Sequence, residues 1–256
     1  MNIPLLSIIT ATFNSELTLE ETIESLLNQN YTNFEYILID GKSNDKTLQI
    51  IKKYESIFSQ KKIPYYWISE NDTGIYNAWN KGLKLASGSW ISFLGSDDIY
   101  LEGVLKKYAN LAIRNRDIDF IHSKVKLMKD NKEIFVVSDR WKWNDFKRQM
   151  KIAHVGSFHN KNYFSKYGIF NENYKIAGDY EMLLRAKHNL KTLFFDEFTA
   201  LMKDGGISNK NVIKAFKEVR KARIYVAAIN KRTAFLDFYI SIIKYYLSRV
   251  KKMISQ

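Results

Sequence analysis

Residues 88–100 read GSWISFLGSDDIY. Trp90, Ile91, Phe93 and Leu94 make a short apolar run of the kind that forms a buried strand. The run ends on two adjacent carboxylates, Asp97 and Asp98. Like charges side by side oppose each other's ionisation unless a cation or ligand groups compensate them. A helix cap needs one carboxylate, so a pair points to a ligand.

Working back from this strand, the same rhythm recurs three times. "LLSIITATFN" (5–14), "FEYILID" (34–40) and "PYYWIS" (64–69) read as strands. Between them, Leu19, Ile23, Leu26 and Leu27 have helical spacing, opened by a capping-box pattern of Thr18 with Glu21. "NDKTLQIIKKY" (44–54), with Asn44 or Asp45 as cap, and "GIYNAWNKGLKLA" (74–86) supply two more helices. Alternating strands and helices predict an α/β, doubly wound, mostly parallel central sheet. Downstream the rhythm fails. A helix near 101–115 is followed by a hairpin, 119–128 with 132–139, turned by Lys129-Asp130-Asn131. A helix begins near Tyr180, "TLFFDEFTALM" (192–202) is a strand, and the chain reads as helical from about Asn209.

The 256 residues suit one sizeable domain with a helical appendage, and 46% hydrophobic content supports a real core. Cysteine is absent, which excludes disulfides and thiolate metal sites; a metal must be held by oxygen or imidazole. The 40 Lys and Arg against 27 Asp and Glu give +13, which calls for an anionic partner. Residues 1–12 lack the basic start and cleavage site of a signal peptide, and no apolar run is long enough to span a bilayer. The expected location is cytoplasmic, or peripheral on the inner face of the cytoplasmic membrane.

In open parallel sheets, ligands bind beyond the carboxyl ends of the strands. Those ends carry Thr12 and Asn14, then Asp40-Gly41, then Glu70-Asn71-Asp72, then Gly95-Ser96-Asp97-Asp98. Singly, Asp40 reads as a turn residue and Glu70 or Asp72 as a helix cap; four such ends on one rim predict a single site. No glycine-rich phosphate loop follows the first strand. A bound nucleotide would then need a divalent metal for its phosphates, and the Asp pair answers that need.

The ordered series "SIITATFNSELTLEETIESLLNQNYTNFEYILIDGKSNDKT", "ENDTGIYNAWNKGLKLASGSWISFLGSDD" and "HVGSFHNKNYFSKYGIFNENYKIAGDYEMLLR" resembles family 2 glycosyltransferases of the GT-A fold, the kind that builds bacterial surface polysaccharides. The likeness runs over roughly residues 4–210. It implies a nucleotide-sugar-binding, Rossmann-like GT-A domain over 1–208, with 1–100 as the nucleotide half, 101–208 as the acceptor half, and basic amphipathic helices over 209–256. It also implies an inverting hexosyl or N-acetylhexosaminyl transfer, from a UDP-linked donor to a lipid-linked or oligosaccharide acceptor. Position by position, Thr12 and Asn14 would lie against the nucleotide and Asp40 against uracil or ribose. Asp72 and Lys81 would line the base and diphosphate. Asp97 and Asp98 stand at the family's Asp-x-Asp motif, for ribose and for Mn²⁺ or Mg²⁺, and Asp179 in "GDYE" matches the catalytic base. His154 falls near the diphosphate or acceptor. One departure is Gly95, where many relatives carry Asp, so that metal and ribose duties fall on Asp97 and Asp98.

Displacement at an anomeric carbon needs a stabilised leaving diphosphate and a general base for the acceptor hydroxyl. Glu181 competes with Asp179 for that base, and a helix cap is the alternative reading of Asp179. Arg185 is a candidate to orient Asp179 or to bind phosphate. "DGGIS" (204–208) reads as a lid or a turn. From residue 213 to 252, basic and aromatic residues alternate; this suits an interfacial membrane helix, or one packed on protein. Nucleic acid is set aside as a partner, because the strand ends gather acids rather than Lys and Arg. A nucleotidyltransferase and an inactive sugar-binding relative stay open as alternatives, as does an oligomer.

Overall fold

The computed structural model describes residues 6–206 and 211–254, with side chains as far as residue 247. Four strands, β1 (Leu6–Thr12), β2 (Phe34–Asp40), β3 (Tyr65–Ser69) and β4 (Trp90–Phe93), pair in parallel in the order β3-β2-β1-β4. They are linked by helices α1 (Leu19–Leu27), α2 (Thr47–Gln60) and α3 (Ile75–Leu85). The register brings Thr12, Asp40 and Ser69 level, and the Leu94 amide donates to Ile9 beside them. All four strand ends therefore open on one rim.

The continuation is β5 (Ile99–Tyr100), α4 (Val104–Arg114), β6 (Phe120–Lys129), β7 (Lys132–Val137), α5 (Trp143–Phe146), β8 (Ser157–Asn160), α6 (Lys161–Tyr167), α7 (Gly178–Ala186) and β9 (Thr192–Lys203). Strand β8 enters antiparallel between β4 and β6, β9 pairs parallel with β6, and β5 and β7 pair antiparallel with β9 and β6. The unbroken run of parallel pairing thus belongs to the first half of a single nine-stranded mixed sheet, while the second half mixes antiparallel pairs with the parallel β6–β9 pair. Helices cover both faces. Ile8, Leu38, Ile51, Phe58 and Leu105 pack on one side, and Ile9, Ile37, Trp79, Phe93 and Leu183 on the other. That double cover is why every residue of β2 is buried.

Local chemistry departs from expectation at two helix starts. Thr18 makes no side-chain cap; the Ser15 carbonyl accepts the amides of Thr18 and Leu19 instead, and Glu21 pairs with Lys203 at 2.7 Å. For α2, Lys46 holds the cap position without a side-chain bond, while Asp45 Oδ1, one residue earlier, accepts the Thr47 amide at 3.0 Å. The 129–131 turn is as expected, with Asp130 and Asn131 at φ 48° and 60°, the signs a tight hairpin demands.

Beyond β9, helices α8 (Val212–Tyr225) and α9 (Lys231–Ile254) pair with each other, and α8 packs on α7. Gly205 has φ +105°, but Ile207 and Ser208 of the expected lid lie outside the described residues, as does the 208/209 boundary. No described helix is long and apolar enough to cross a membrane.

Candidate active site

Asp97, Asp98, His154 and Asp179 line one cleft of about 680 Å³ at the strand ends, with Trp79 and Phe93 as its floor. Asp98 and Asp179 lie 81 residues apart in sequence. Strand β8 closes that gap by pairing with β4, which brings the 149–155 segment and His154 to the same rim.

Asp98 is held from several sides. Its Oδ1 accepts the Lys203 amide at 3.1 Å, its own amide donates to Gly95 at 3.2 Å, and its carbonyl accepts the Thr22 hydroxyl at 2.9 Å. Burial, reinforced by the Asp97 charge, pushes Asp98 up to about 7. A Cβ placed on Gly95 would lie 2.5 Å from Asp98 Oδ2 and 3.0 Å from Asp97 Oδ1. The two carboxylates therefore converge over Gly95, and a side chain there would have to displace them. That contact accounts for the glycine.

This donor set fits a divalent ion. Among the described residues, no group of three or more His, Asp or Glu could hold a metal unaided. Mg²⁺ and Mn²⁺ in phosphate-transfer sites commonly take one or two carboxylates and complete their shells with water and substrate oxygens. Two convergent acids, one of them buried and reluctant to ionise alone, match that pattern.

Asp179 sits in the first turn of α7. Its Oδ1 accepts the Tyr76 hydroxyl at 3.2 Å and the Tyr180 amide at 2.8 Å. Burial pushes its carboxyl up to about 6, with these hydrogen bonds opposing the shift. A general base near neutral pH needs such a value. Glu181, the competitor, is committed elsewhere: buried at 4% exposure, it forms a two-point ion pair with Arg185, at 2.5 and 3.1 Å. Arg185 also donates to the carbonyls of Tyr167 and Ile169. It braces α7 from behind and does not reach Asp179, because a buried Glu one turn earlier claims its guanidinium.

The remaining candidates divide. Thr12 is buried with its hydroxyl unpartnered. Asn14 adopts φ 51° and accepts the Asn44 amide at 2.9 Å, tying the first two loops together. Asp40 is fully buried; its two oxygens accept the Ser43 amide and hydroxyl and the Ser69 hydroxyl, so it shapes the rim. Asp72 Oδ1 accepts the Gly74 amide at 2.8 Å and so holds the loop just ahead of α3. Lys81 pairs with Glu70 at 2.8 Å and donates to the Asn71 carbonyl, bracing that same loop.

His154 Nε2 lies 3.1 Å from His159 Nε2, and its ring stacks on Phe93 at 5.2 Å. Burial drives His154 down to about 3 and His159 well below its ordinary range, so the pair is neutral. Any help from His154 to a phosphate would come from an N–H, not a charge. Sequence reasoning missed Tyr76, Lys203 and Glu218. Only the last left a signal: Glu218 is the sole acid between Asp204 and Asp237, inside a helix that also carries Lys214, Lys217, Arg220, Lys221 and Arg223.

The chain is similar to several known proteins. A PGL/p-HBAD biosynthesis glycosyltransferase of Mycobacterium bovis is 29% identical over 228 residues, 84% of either chain. The putative teichuronic acid biosynthesis glycosyltransferase TuaG of Bacillus subtilis is 36% identical over 104 residues, 41% of this chain and 40% of its own. Among solved structures, Staphylococcus aureus TarS superposes with a TM-score of 0.67 at 20% identity, over 90% of this chain and 41% of TarS. The mannosyltransferase PcManGT of Pyrobaculum calidifontis, solved with GDP-Man and Mn²⁺, gives 0.63 at 14% identity, over 89% and 65%. These likenesses establish the GT-A fold. The model of the family described as "Glycosyl transferase family 2" matches residues 7–180, and the chain belongs to that family.

Proposed function

We propose that the chain transfers a hexosyl or N-acetylhexosaminyl unit from a UDP-linked donor to a lipid-linked or oligosaccharide acceptor in bacterial surface-polysaccharide synthesis, with inversion. The observation that carries this reading is the cleft shared by Asp97, Asp98 and Asp179, in which one acid is poised near 6. Solved structures of a similar fold support the donor: TarS has been solved with UDP and with UDP-GlcNAc. The M. bovis and B. subtilis relatives are named for PGL/p-HBAD and teichuronic acid biosynthesis, which supports the acceptor class.

Asp97 and Asp98 would hold Mn²⁺ or Mg²⁺, which when bound neutralises charge on the departing diphosphate. Thr12, Asn14 and Asp72, with the loop that Asp40 and Lys81 shape, would seat the nucleotide. Asp179 accepts the acceptor hydroxyl's proton as that oxygen bonds to the anomeric carbon. The anomeric C–O bond breaks on the opposite face, and its electron pair leaves with the nucleoside diphosphate. His154, held neutral beside His159, and the aromatic rings of Trp79 and Phe93 line the cleft next to the reacting carboxylates.

Helix α9 would rest on the inner membrane surface. One stripe, Leu236, Tyr239, Ile243, Tyr246 and Leu247, is more than half exposed, beside Lys231, Arg232 and Lys244. The deciding experiment is Asp179→Asn. Expected is loss of at least about 100-fold in transfer, with UDP-Mn²⁺ binding retained by calorimetry; normal turnover would move the base elsewhere.

A further inference from the structure

Asp179 is preceded by a tight loop, residues 174–177, whose amides have no helical partners because α7 starts only at Gly178. Three successive amides of this loop, those of Lys175, Ile176 and Ala177, all donate to one carboxylate, Glu218 of α8, at 2.8–3.0 Å. The same helix touches the loop a second time: Lys221 Nζ lies 4.9 Å from the centre of the Tyr174 ring. On its other side the loop is tied to the donor half. Lys175 Nζ donates to the Thr73 carbonyl at 2.7 Å, and Tyr76 Oη donates to the Ile176 carbonyl at 2.7 Å. Gly178 lies flat on the Tyr76 ring, where a Cβ would come within 2.7–2.8 Å of three ring carbons.

We propose that Glu218 is a positioning residue of the active site, by which the C-terminal helical pair holds the Asp179 loop in its working geometry. This rests on Asp179 being the base. The physical case is that charge-assisted bonds from consecutive amides to one carboxylate fix several backbone dihedrals at once. Asp179 follows two residues after the last clamped amide, so a small rotation of the loop would swing its carboxylate off the acceptor hydroxyl. Displacements of about 1 Å at a reacting group are enough to cost about 100-fold in rate. Helix α8 is otherwise basic, and no other acid lies within reach in sequence to take over the role.

The test uses the full-length chain with Glu218→Ala and Glu218→Gln. Amide hydrogen exchange should speed up about tenfold or more across 174–180 in Glu218→Ala, while exchange in the β1–β4 half stays as in the parent. Turnover of UDP-GlcNAc (transfer, or slow hydrolysis to UDP) should fall about tenfold or more, with the calorimetric Kd for UDP-Mn²⁺ within about twofold of the parent. Glu218→Gln, which keeps one acceptor oxygen, should fall between parent and Glu218→Ala in both readouts. Unchanged exchange at 174–180 overturns the clamp, whatever the reaction proves to be. A rate loss matched by an equal loss of UDP binding, or spread of fast exchange into β1–β4, makes Glu218 merely structural and also overturns it. A parent chain that turns over no nucleotide sugar sinks the transferase reading instead, and the exchange data still decide whether Glu218 holds the loop.

Discussion

Tyr76 Oη stands 3.2 Å from Asp179 Oδ1 and 2.7 Å from the Ile176 carbonyl, so a single hydroxyl from the donor half touches both the candidate base and its loop. The hydroxyl proton has two acceptors and stabilises the ionised form of Asp179, opposing the larger effect of burial. Tyr76→Phe removes that support. The Asp179 carboxyl should rise, and the acidic limb of the rate profile should move to higher pH. The fold should lose only about 1 kcal/mol. A profile unmoved by Tyr76→Phe would separate Asp179 from the limb.

Burial of Asp179 also fixes the sign of a stability effect. Its folded-state value of about 6 lies above the ordinary carboxylate range, so between about pH 4 and 6 the native state binds the extra proton. Its contribution to stability is therefore greatest below that window and is lost as pH rises through about 6. Asp179→Asn carries no charge to desolvate. At pH 7.5 it should be more stable than the parent by on the order of 1–2 kcal/mol, while transfer collapses. Denaturant melts at pH 4 and pH 7.5 check this; equal differences at both would refute it.

Gly95 makes a sharper case. Because a Cβ there meets Asp98 Oδ2 at 2.5 Å and Asp97 Oδ1 at 3.0 Å, Gly95→Ala must push the two carboxylates apart. Side chains can yield, so the fold should survive with a modest loss of melting temperature. The shared ion site should suffer more. Mn²⁺-dependent UDP binding, measured by calorimetry, should weaken about tenfold, whereas binding of UDP without metal should change little. Equal loss with and without Mn²⁺ would show that Gly95 serves the nucleotide directly.

The first hundred residues were readable because their physics is local. Each strand is a short apolar run, each helix has a 3.6-residue stripe, and the strand-end rule gathered Asp97 and Asp98 with no structure in hand. What escaped is non-local. Strand β8 is four residues of "SFHN", three of them buried, with neither alternation nor a turn signal, so nothing marks it as the piece that carries His154 to the cleft. Arg185 and Lys81 read as phosphate ligands until the fold paired them with Glu181 and Glu70. Thr18 and Glu21 spelled a cap, yet Lys203, 182 residues further on, took the Glu. Glu218 shows the same limit from the other side: an acid stranded in a basic helix gains meaning only once α8 packs against α7.

A control for damage away from the site comes from Glu35. It is 2% exposed, and its carboxylate accepts the Ser7 hydroxyl at 2.6 Å, the Ser87 amide and hydroxyl, and the Gly88 amide at 3.1 Å. These bonds join the starts of β1 and β2 to the turn before β4, at the end of the sheet opposite the cleft. Glu35→Ala strands several buried donors, each costing about 1–3 kcal/mol. The expected loss is about 3 kcal/mol or more, with UDP binding intact at temperatures where the chain stays folded. Little loss in a denaturant melt would mean that water replaces the carboxylate.

The exposed stripe of α9 bears on where the enzyme works. The inner side of that helix is already satisfied: Ala234 and Phe238 are buried, the Arg220 guanidinium lies 4.2 and 4.6 Å from the Phe235 and Phe238 rings, and Arg223 pairs with Asp237 at 2.5 Å. Leu236, Tyr239, Ile243 and Tyr246 are therefore left outward by a helix that needs none of them for its own packing. Burying half-exposed Leu or Ile side chains in lipid is worth about 1 kcal/mol each, and neighbouring Lys and Arg add attraction to anionic headgroups. The chain should sediment with phosphatidylglycerol-rich vesicles, less so as salt rises, and only weakly with neutral ones. Leu236→Glu with Ile243→Glu should reduce that binding about tenfold or more, without altering the melting temperature or the turnover of a water-soluble acceptor. Equal sedimentation of parent and double variant would place the contact elsewhere on the molecule. Failure of the parent to bind anionic vesicles at low salt would leave the stripe to another protein surface.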